Sequence, residues 1–335
     1  MYYLCINMST PLPVRSGRLG WTFYFQPMKK VPYTKPALHY ADQLQQLKDR
    51  GLIIDNEAKA LNLLENISYF RLSGYWYPML ALPKSLHMFK PGSTFENAFK
   101  LYCFDKELRG LILAELEKIE IAVRAKMTYV LSIKHGSFWY SNSALFFSPL
   151  QHTTTISKIE TEFNRSDERF VVEFKNKYED TLPPSWMMLE LSSFGSLSML
   201  HKNLAGTHDR REIAHYFGLD DSTFESWLHS IVYVRNVCAH HARLWSRVMR
   251  ITPIIPSSPM FQFLSQTIIY NPKTKTPNSN RTYFFLSMLL YLLNIVDPRH
   301  TFKQKLVALL NAFPMVDVKA MCFPEDWQAE ALWRI

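Results

Sequence analysis

Between Phe95 and Leu131 the apolar residues Leu108, Ile112, Leu116, Ile119, Val123, Met127 and Val130 recur every three or four positions, the period of one face of an α-helix. A helix of that length with a single apolar face needs other helices to cover it. The 335-residue chain can supply them: 47% of it is hydrophobic, 14% is aromatic, glycines number only ten, and Val/Thr-rich alternating runs are few. The expected fold class is therefore all-α, with enough core for one large or two modest domains.

In chain order, residues 1–30 lack a clear period and are interrupted by Pro11, Pro13 and Pro27. They are read as a poorly structured leader, or as the product of a start codon placed upstream of Met28, and not as a signal peptide. A region from 31 to 100 follows, with a helix over Tyr40 to Arg50 stopped by Gly51, and a second helix capped by Asp55 and running to Ile67. Ser68 to Pro78 holds Tyr69, Phe70, Tyr75, Trp76 and Tyr77 with Arg71 among them. Such interleaving either stacks RNA bases or packs helices around a turn at Gly74, and helix packing is the favoured reading. Leu82 to Gly92 is expected to be a loop whose Lys84 and Lys90 reach phosphate. Residues 101–300 are expected to form the main helical domain. Its elements are the long helix, with a Glu120–Arg124 pair and Arg109 and Glu117 on a solvated face, a helix from Trp186 to Leu200, and helices over Arg210 to Phe217 and Ser222 to Val234. Thr252 to Asn280 reads as a long loop, basic at its end through Lys273, Lys275 and Arg281. Tyr283 to Val296 is apolar but only fourteen residues long, short of the roughly twenty that span a bilayer, so it is a buried helix and no membrane association is expected. Residues 301–335 form a C-terminal helix and tail.

One stretch carries the chemistry: Tyr233-Val-Arg-Asn-Val-Cys-Ala-His-His-Ala-Arg-Leu-Trp245. No Asp or Glu occurs between Glu225 and Asp297, whereas Arg235, Arg243, Arg247, Arg250, Lys273, Lys275 and Arg281 all lie in that gap. Such a field suits a polyanion. The formal charge of the chain is +9, of which Arg15, Arg18, Lys29 and Lys30 contribute four, leaving a moderate basic bias elsewhere. If the helix runs unbroken at about 100° per residue, Asn236, His240, Arg243, Arg247 and Arg250 form one cationic stripe. Leu228, Ile231, Arg235, Cys238, Ala242, Trp245 and Met249 form a second stripe, apolar except for Arg235. A lone Arg there needs an anion, a carboxylate or a subunit interface. Arg235 and His240 then stand about 140° apart. They meet through the length of the Arg, through a break near Asn236, or across a dimer.

This set can cleave an RNA phosphodiester. His titrates near neutral pH and can take a proton from a 2′-hydroxyl or give one to the leaving 5′-oxygen. Arg offers a fixed fork to phosphate and to the charge that builds in the transition state. Asn can orient the His or a phosphate oxygen, and no cofactor is required. Arg210 and His215 repeat the Arg-x4-His spacing and are taken as a chance copy on a surface helix. Cys5, Cys103, Cys238 and Cys322 are far apart, with no Cys-x-x-Cys and no zinc-type Cys/His set. Reduced thiols in a cytoplasm are expected, and no metal is expected at His240-His241, because adjacent His residues point apart on a helix.

Arg235-Asn-Val-Cys-Ala-His-His-Ala-Arg-Leu-Trp245 resembles the signature of the Abi-like (AbiD/AbiF-type) abortive-infection proteins of the HEPN superfamily. Similar blocks occur at Lys35-Pro36 with Gln43 to Leu52, at Leu64 to Pro78, at Phe104 to Arg109, at Ile119 to Arg124, and from Pro184-Ser185-Trp186 to Phe194-Gly-Ser-Leu197, covering most of residues 31–300. The resemblance implies a HEPN-like helical bundle with an N-terminal helical extension, and an endoribonuclease with Arg235, Asn236 and His240 as catalytic residues. His241 is an alternative acid/base through an Arg-x5-His spacing. It also implies a homodimer with a composite site, because the chain has one convincing copy of the motif. Arg243, Arg247 and Arg250 are the expected RNA-binding residues. Two other readings stand beside this one. The first is a non-catalytic RNA-binding module that holds a regulatory small RNA. The second is a structural helical protein in which Arg235 pairs with distant Glu117 or Glu120.

Overall fold

The computed structural model describes residues 32–264 and 277–334. The expected leader and the expected basic end of the long loop at Lys273 and Lys275 therefore lie wholly or mostly outside the described residues. Residues 32–39 carry no helix or strand. Among the described residues from Tyr40 onward there are twelve α-helices and no β-strand. The all-α expectation holds.

The first three helices are short. α1 (Tyr40–Asp49) is stopped by Gly51, whose φ of +86° suits a residue without a Cβ. α2 (Glu57–Ile67) is capped by Asn56 and not by Asp55 as expected, the Asn56 side chain accepting from the Lys59 N–H at 2.9 Å. α3 (Tyr69–Trp76) begins immediately after Ser68 and passes through Gly74 without a turn. The favoured reading of this aromatic stretch as packing is largely right: Leu72, Tyr75 and Trp76 are buried, with Tyr69 edge-on to Trp76. Leu72 and Trp76 join Leu44, Leu47, Leu64 and Phe95 in a small core of their own, whereas Tyr75 belongs to the larger one.

α4 (Phe95–His135) is the spine. Thr94 caps its start and accepts from the Asn97 N–H at 3.0 Å. All seven residues of the expected apolar face are buried. Around it pack α3, α9 (Thr207–Tyr216), α10 (Asp221–Ala239), α11 (Thr282–Val296) and α12 (Phe302–Ala312). α5 (Pro149–Arg165), α6 (Arg169–Lys177), α7 (Ser185–Met188) and α8 (Phe194–Asn203) complete the larger core. The single helix expected from Trp186 to Leu200 is in fact two, because Ser192 and Ser193 are extended and Ser193 recaps the chain at Ser196. α11 is buried along most of its length, as expected of a bundle helix. Among the described residues, no helix is long and apolar enough to cross a membrane. The C-terminal tail folds back on α11: Trp333 is buried and donates its indole N–H to Ser287 at 3.0 Å.

Inside this core, His201 on α8 is fully buried, edge-on to Phe224. Burial, with the Arg210 charge added, pushes its imidazole down to about 4. The unfolded chain therefore binds a proton that the native protein refuses between about pH 6.5 and about pH 4. Stability is full above that window and falls as pH drops through it, by up to about 3 kcal/mol. Thermal melts should show this decline, and His201→Phe should flatten it.

Candidate active site around the helix α10 terminus

α10 starts on Asp220, whose carboxylate accepts from the Thr223 N–H at 2.9 Å. It ends at Ala239, earlier than the unbroken helix through Arg250 that the sequence suggests. The cause is a helix-terminating turn. His241 adopts φ +56°, its N–H bonds back to the Cys238 carbonyl at 3.0 Å, and the Ala242 N–H bonds to the Val237 carbonyl at 2.9 Å. This is the paired 5→2 and 6→1 pattern that closes helices, with a His in the left-handed place usually given to Gly. A non-glycine residue there is strained and needs support from its surroundings.

The support comes from α3 and α4. Asp105 on α4 is fully buried beside Arg109, its ion-pair partner one turn on. Its Oδ1 accepts the backbone N–H groups of Leu244 at 3.1 Å and Trp245 at 2.5 Å, and its Oδ2 accepts the Tyr75 hydroxyl at 2.7 Å. Arg109 was expected on a solvated face; it is buried because Asp105 needs its charge. From α3, Arg71 donates to the His241 carbonyl at 2.6 Å. Arg243 returns the contact by donating to the Gly74 carbonyl, with its Cδ 3.7 Å from where a Gly74 Cβ would stand.

The cationic stripe therefore does not exist as one face. Arg235, Asn236 and His240 remain on α10 or at its end, whereas Arg243 and Arg247 lie beyond the turn. Arg243 is used as a brace, and Arg247 donates to the Arg243 carbonyl at 2.6 Å and to the Tyr233 hydroxyl at 3.4 Å. Arg250 is exposed. The second stripe fails at the same point, although Cys238, Trp245 and Met249 are buried as it implied. Burial pushes the Cys238 thiol up to about 12, so it is a core residue and not a nucleophile.

Asn236, His240 and His241 are all exposed. The His240 and Asn236 side chains have no hydrogen-bond or ion-pair partner among the described residues. Arg235 is the lone cation of its stripe, and it has found a carboxylate: its Nε is 4.0 Å from Glu120 Oε2, with the Arg235 side chain 42% exposed. That is a loose contact, and Glu120 also pairs with Arg124 at 3.3 Å, as expected. Glu117, Glu120, Ile121 and Arg124 of α4 face Arg235 and Ala239 of α10 across an open groove of about 540 Å³. In the second Arg-x4-His pair, Arg210 is engaged by Asp221 at 3.1 Å and Glu225 at 3.7 Å, at the opposite end of α10 from the turn. No group of three or more His, Cys, Asp or Glu side chains suited to a metal ion occurs among the described residues.

The sequence reading missed Asp105, Tyr75 and Arg71 as supports of the motif. One signal was available: Asp105 falls in step with Leu101, Leu108 and Ile112 on the apolar face of α4. A carboxylate in that position must meet donors. Asp105→Asn should leave Arg109 buried without its counter-charge and cost about 3 kcal/mol of stability, read from the denaturant midpoint. Amide exchange at Leu244 and Trp245 should accelerate. Adding Arg109→Met should recover part of the loss.

The family model described as Abi-like protein matches residues 62–246, a span that holds α3, α4, α10, Asp105 and both histidines. No curated protein and no solved structure matched. With more than half of its length covered, from Asn62 on α2 to Ser246 after the turn, the chain belongs to the Abi-like protein family.

Proposed function

We propose that the protein is an antiphage abortive-infection effector that cuts RNA without a metal, at a site built on Arg235, Asn236 and His240. Membership of the Abi-like family suggests the part in abortive infection. The observation that carries the rest is the state of His240: an exposed imidazole with no partner among the described residues, held at a rigid helix end one turn from Asn236. Arg243 and Arg247 just beyond the turn are spent on backbone contacts, and His240 is not. A general base has to be free and fixed in place.

In this reading, His240 takes the 2′-hydroxyl proton of one ribose. The 2′-oxygen attacks the adjoining phosphorus, the bond from phosphorus to the 5′-oxygen breaks, and that oxygen leaves with a proton. The products are a 2′,3′-cyclic phosphate and a 5′-hydroxyl. Arg235 swings from its loose contact with Glu120 to the phosphoryl oxygens, and Asn236 orients the phosphate or the imidazole. A homodimer paired along the groove between α4 and α10 would bring a second imidazole to protonate the leaving oxygen, which makes the site composite. Arg250 and Arg71 hold the flanking backbone, with Arg243 and Arg247 adding charge from behind the turn.

A second reading is favoured by one observation. Glu117 and Glu120 flank Arg235 in the groove, and their charge opposes a phosphate where cleavage needs one. A module that holds a regulatory RNA without cutting it fits that arrangement.

Turnover separates the two. Purified protein in EDTA should cut a mixed-sequence labelled RNA and leave cyclic phosphate ends. His240→Ala should slow cleavage by roughly 10² to 10⁴-fold, and Arg235→Ala should act in the same direction, each with folding intact. His241→Gly removes the neighbouring imidazole while relieving the left-handed strain, so it should keep activity and gain stability. Loss of activity in His241→Gly with retention in His240→Ala would move the acid/base role to His241. Salt-dependent RNA binding without product in the parent would establish the binding module instead.

A further inference from the structure

α3 has one face that the packing does not use. Leu72, Tyr75 and Trp76 are buried, and Tyr69 is half-buried, its hydroxyl taking a hydrogen bond from Arg50 at 2.9 Å. Phe70 points the other way and is 88% exposed. The next residue, Arg71, is exposed as well, and it is the one whose guanidinium holds the His241 carbonyl. The exposed phenyl ring therefore neighbours, along α3, the arginine that contacts the histidine turn.

The charge around that ring favours one kind of occupant. No Asp or Glu lies between Glu65 and Glu96, where Arg71, Lys84 and Lys90 occur, and none lies between Glu225 and Asp297. The contacts from Arg71 to His241 and from Arg243 to Gly74 bring these two acid-free segments together. An exposed aromatic beside guanidinium groups that keep their charge while they brace the backbone is the arrangement that binds unpaired nucleotides: backbone phosphate follows the cations and a base stacks on the ring.

We propose that Phe70 is a base-stacking platform for an unpaired nucleotide, and that Arg71 holds the adjoining phosphate, so that a single strand is led from α3 to His240. The inference deepens the ribonuclease reading and rests on it for the strand's destination, but the stacking contact is testable without cleavage. Phe70 thereby selects single-stranded over duplex RNA, whose bases offer no free face to a side chain.

The test measures binding in a His240→Ala background, which removes turnover. A short single-stranded RNA carrying 2-aminopurine is titrated into full-length protein, with the same strand annealed to its complement as the second probe. Phe70→Ala should weaken single-strand affinity about tenfold, abolish the stacking quench of 2-aminopurine, leave the salt slope unchanged and leave duplex affinity unchanged. Phe70→Trp should restore affinity and quench. Because the ring is exposed, both variants should melt with the parent. Single-strand affinity and quench equal to the parent in Phe70→Ala would overturn the proposal. So would a parent that binds no single strand, or a Phe70→Ala effect confined to self-association in sedimentation, which would make the ring a protein contact. If Phe70→Ala loses the stacked base while the protein with His240 intact cuts no RNA, the platform stands and the nuclease reading falls. If cleavage depends on His240 while Phe70→Ala binds normally, the reverse holds.

Discussion

A buried carboxylate holds the site in place. Asp105 sits in the apolar face of the longest helix with no access to water, where an unpaired charge would be costly. Four donors compensate it: the Arg109 guanidinium, the Tyr75 hydroxyl and the backbone N–H groups of Leu244 and Trp245. Two of those donors belong to the segment after the histidine turn, so the bonds that make the carboxylate tolerable also fix where that segment runs. This is the sense in which α4 organises the protein. Its apolar residues hold the bundle, and its buried Asp105 holds the segment after the histidine turn.

The turn itself is a compromise between geometry and composition. A helix can be closed most cheaply by glycine in the left-handed position, and here a histidine takes that place. The strain is borne by the braces from Arg71 and Arg243, which tie the turn to α3 on both sides. Arginines that looked like phosphate ligands are thereby converted, in part, into structural ties. The positive field they create remains, because a guanidinium that donates to a backbone carbonyl keeps its charge.

Most of the helices could be read from the chain. The face of α4, the burial of α11 and the start of α10 near Ser222 follow from spacing and from local residue chemistry, which a linear sequence displays directly. The assignments that failed share a cause. Asn56 displaced Asp55 as a cap, Ser193 split an expected helix in two, and the motif helix stopped at Ala239, the first two through side-chain oxygens that accept a backbone N–H and the last through backbone bonds, none of which periodicity registers. Within the site, Arg235, Asn236 and His240 stood out by residue type and spacing, and the partner of Arg235 was among the two acids considered. Asp105 and Arg71 did not stand out, because their importance lies in contacts with residues 139 and 170 positions later. Phe70 was part of an aromatic run that mostly belongs to the core, and only the orientation of α3 separates it from its neighbours.

Those sequence separations have a consequence for how the protein comes into being. The histidine turn is completed by contacts with Arg71, Gly74 and Asp105, so no short fragment of the chain contains a working copy of it. Contacts of such long range form late in folding, because the intervening chain must first be ordered. A nascent polypeptide would carry the motif in an unassembled state until α3, α4 and α10 had all emerged and docked. That delay separates synthesis of the chain from completion of the turn without any second component.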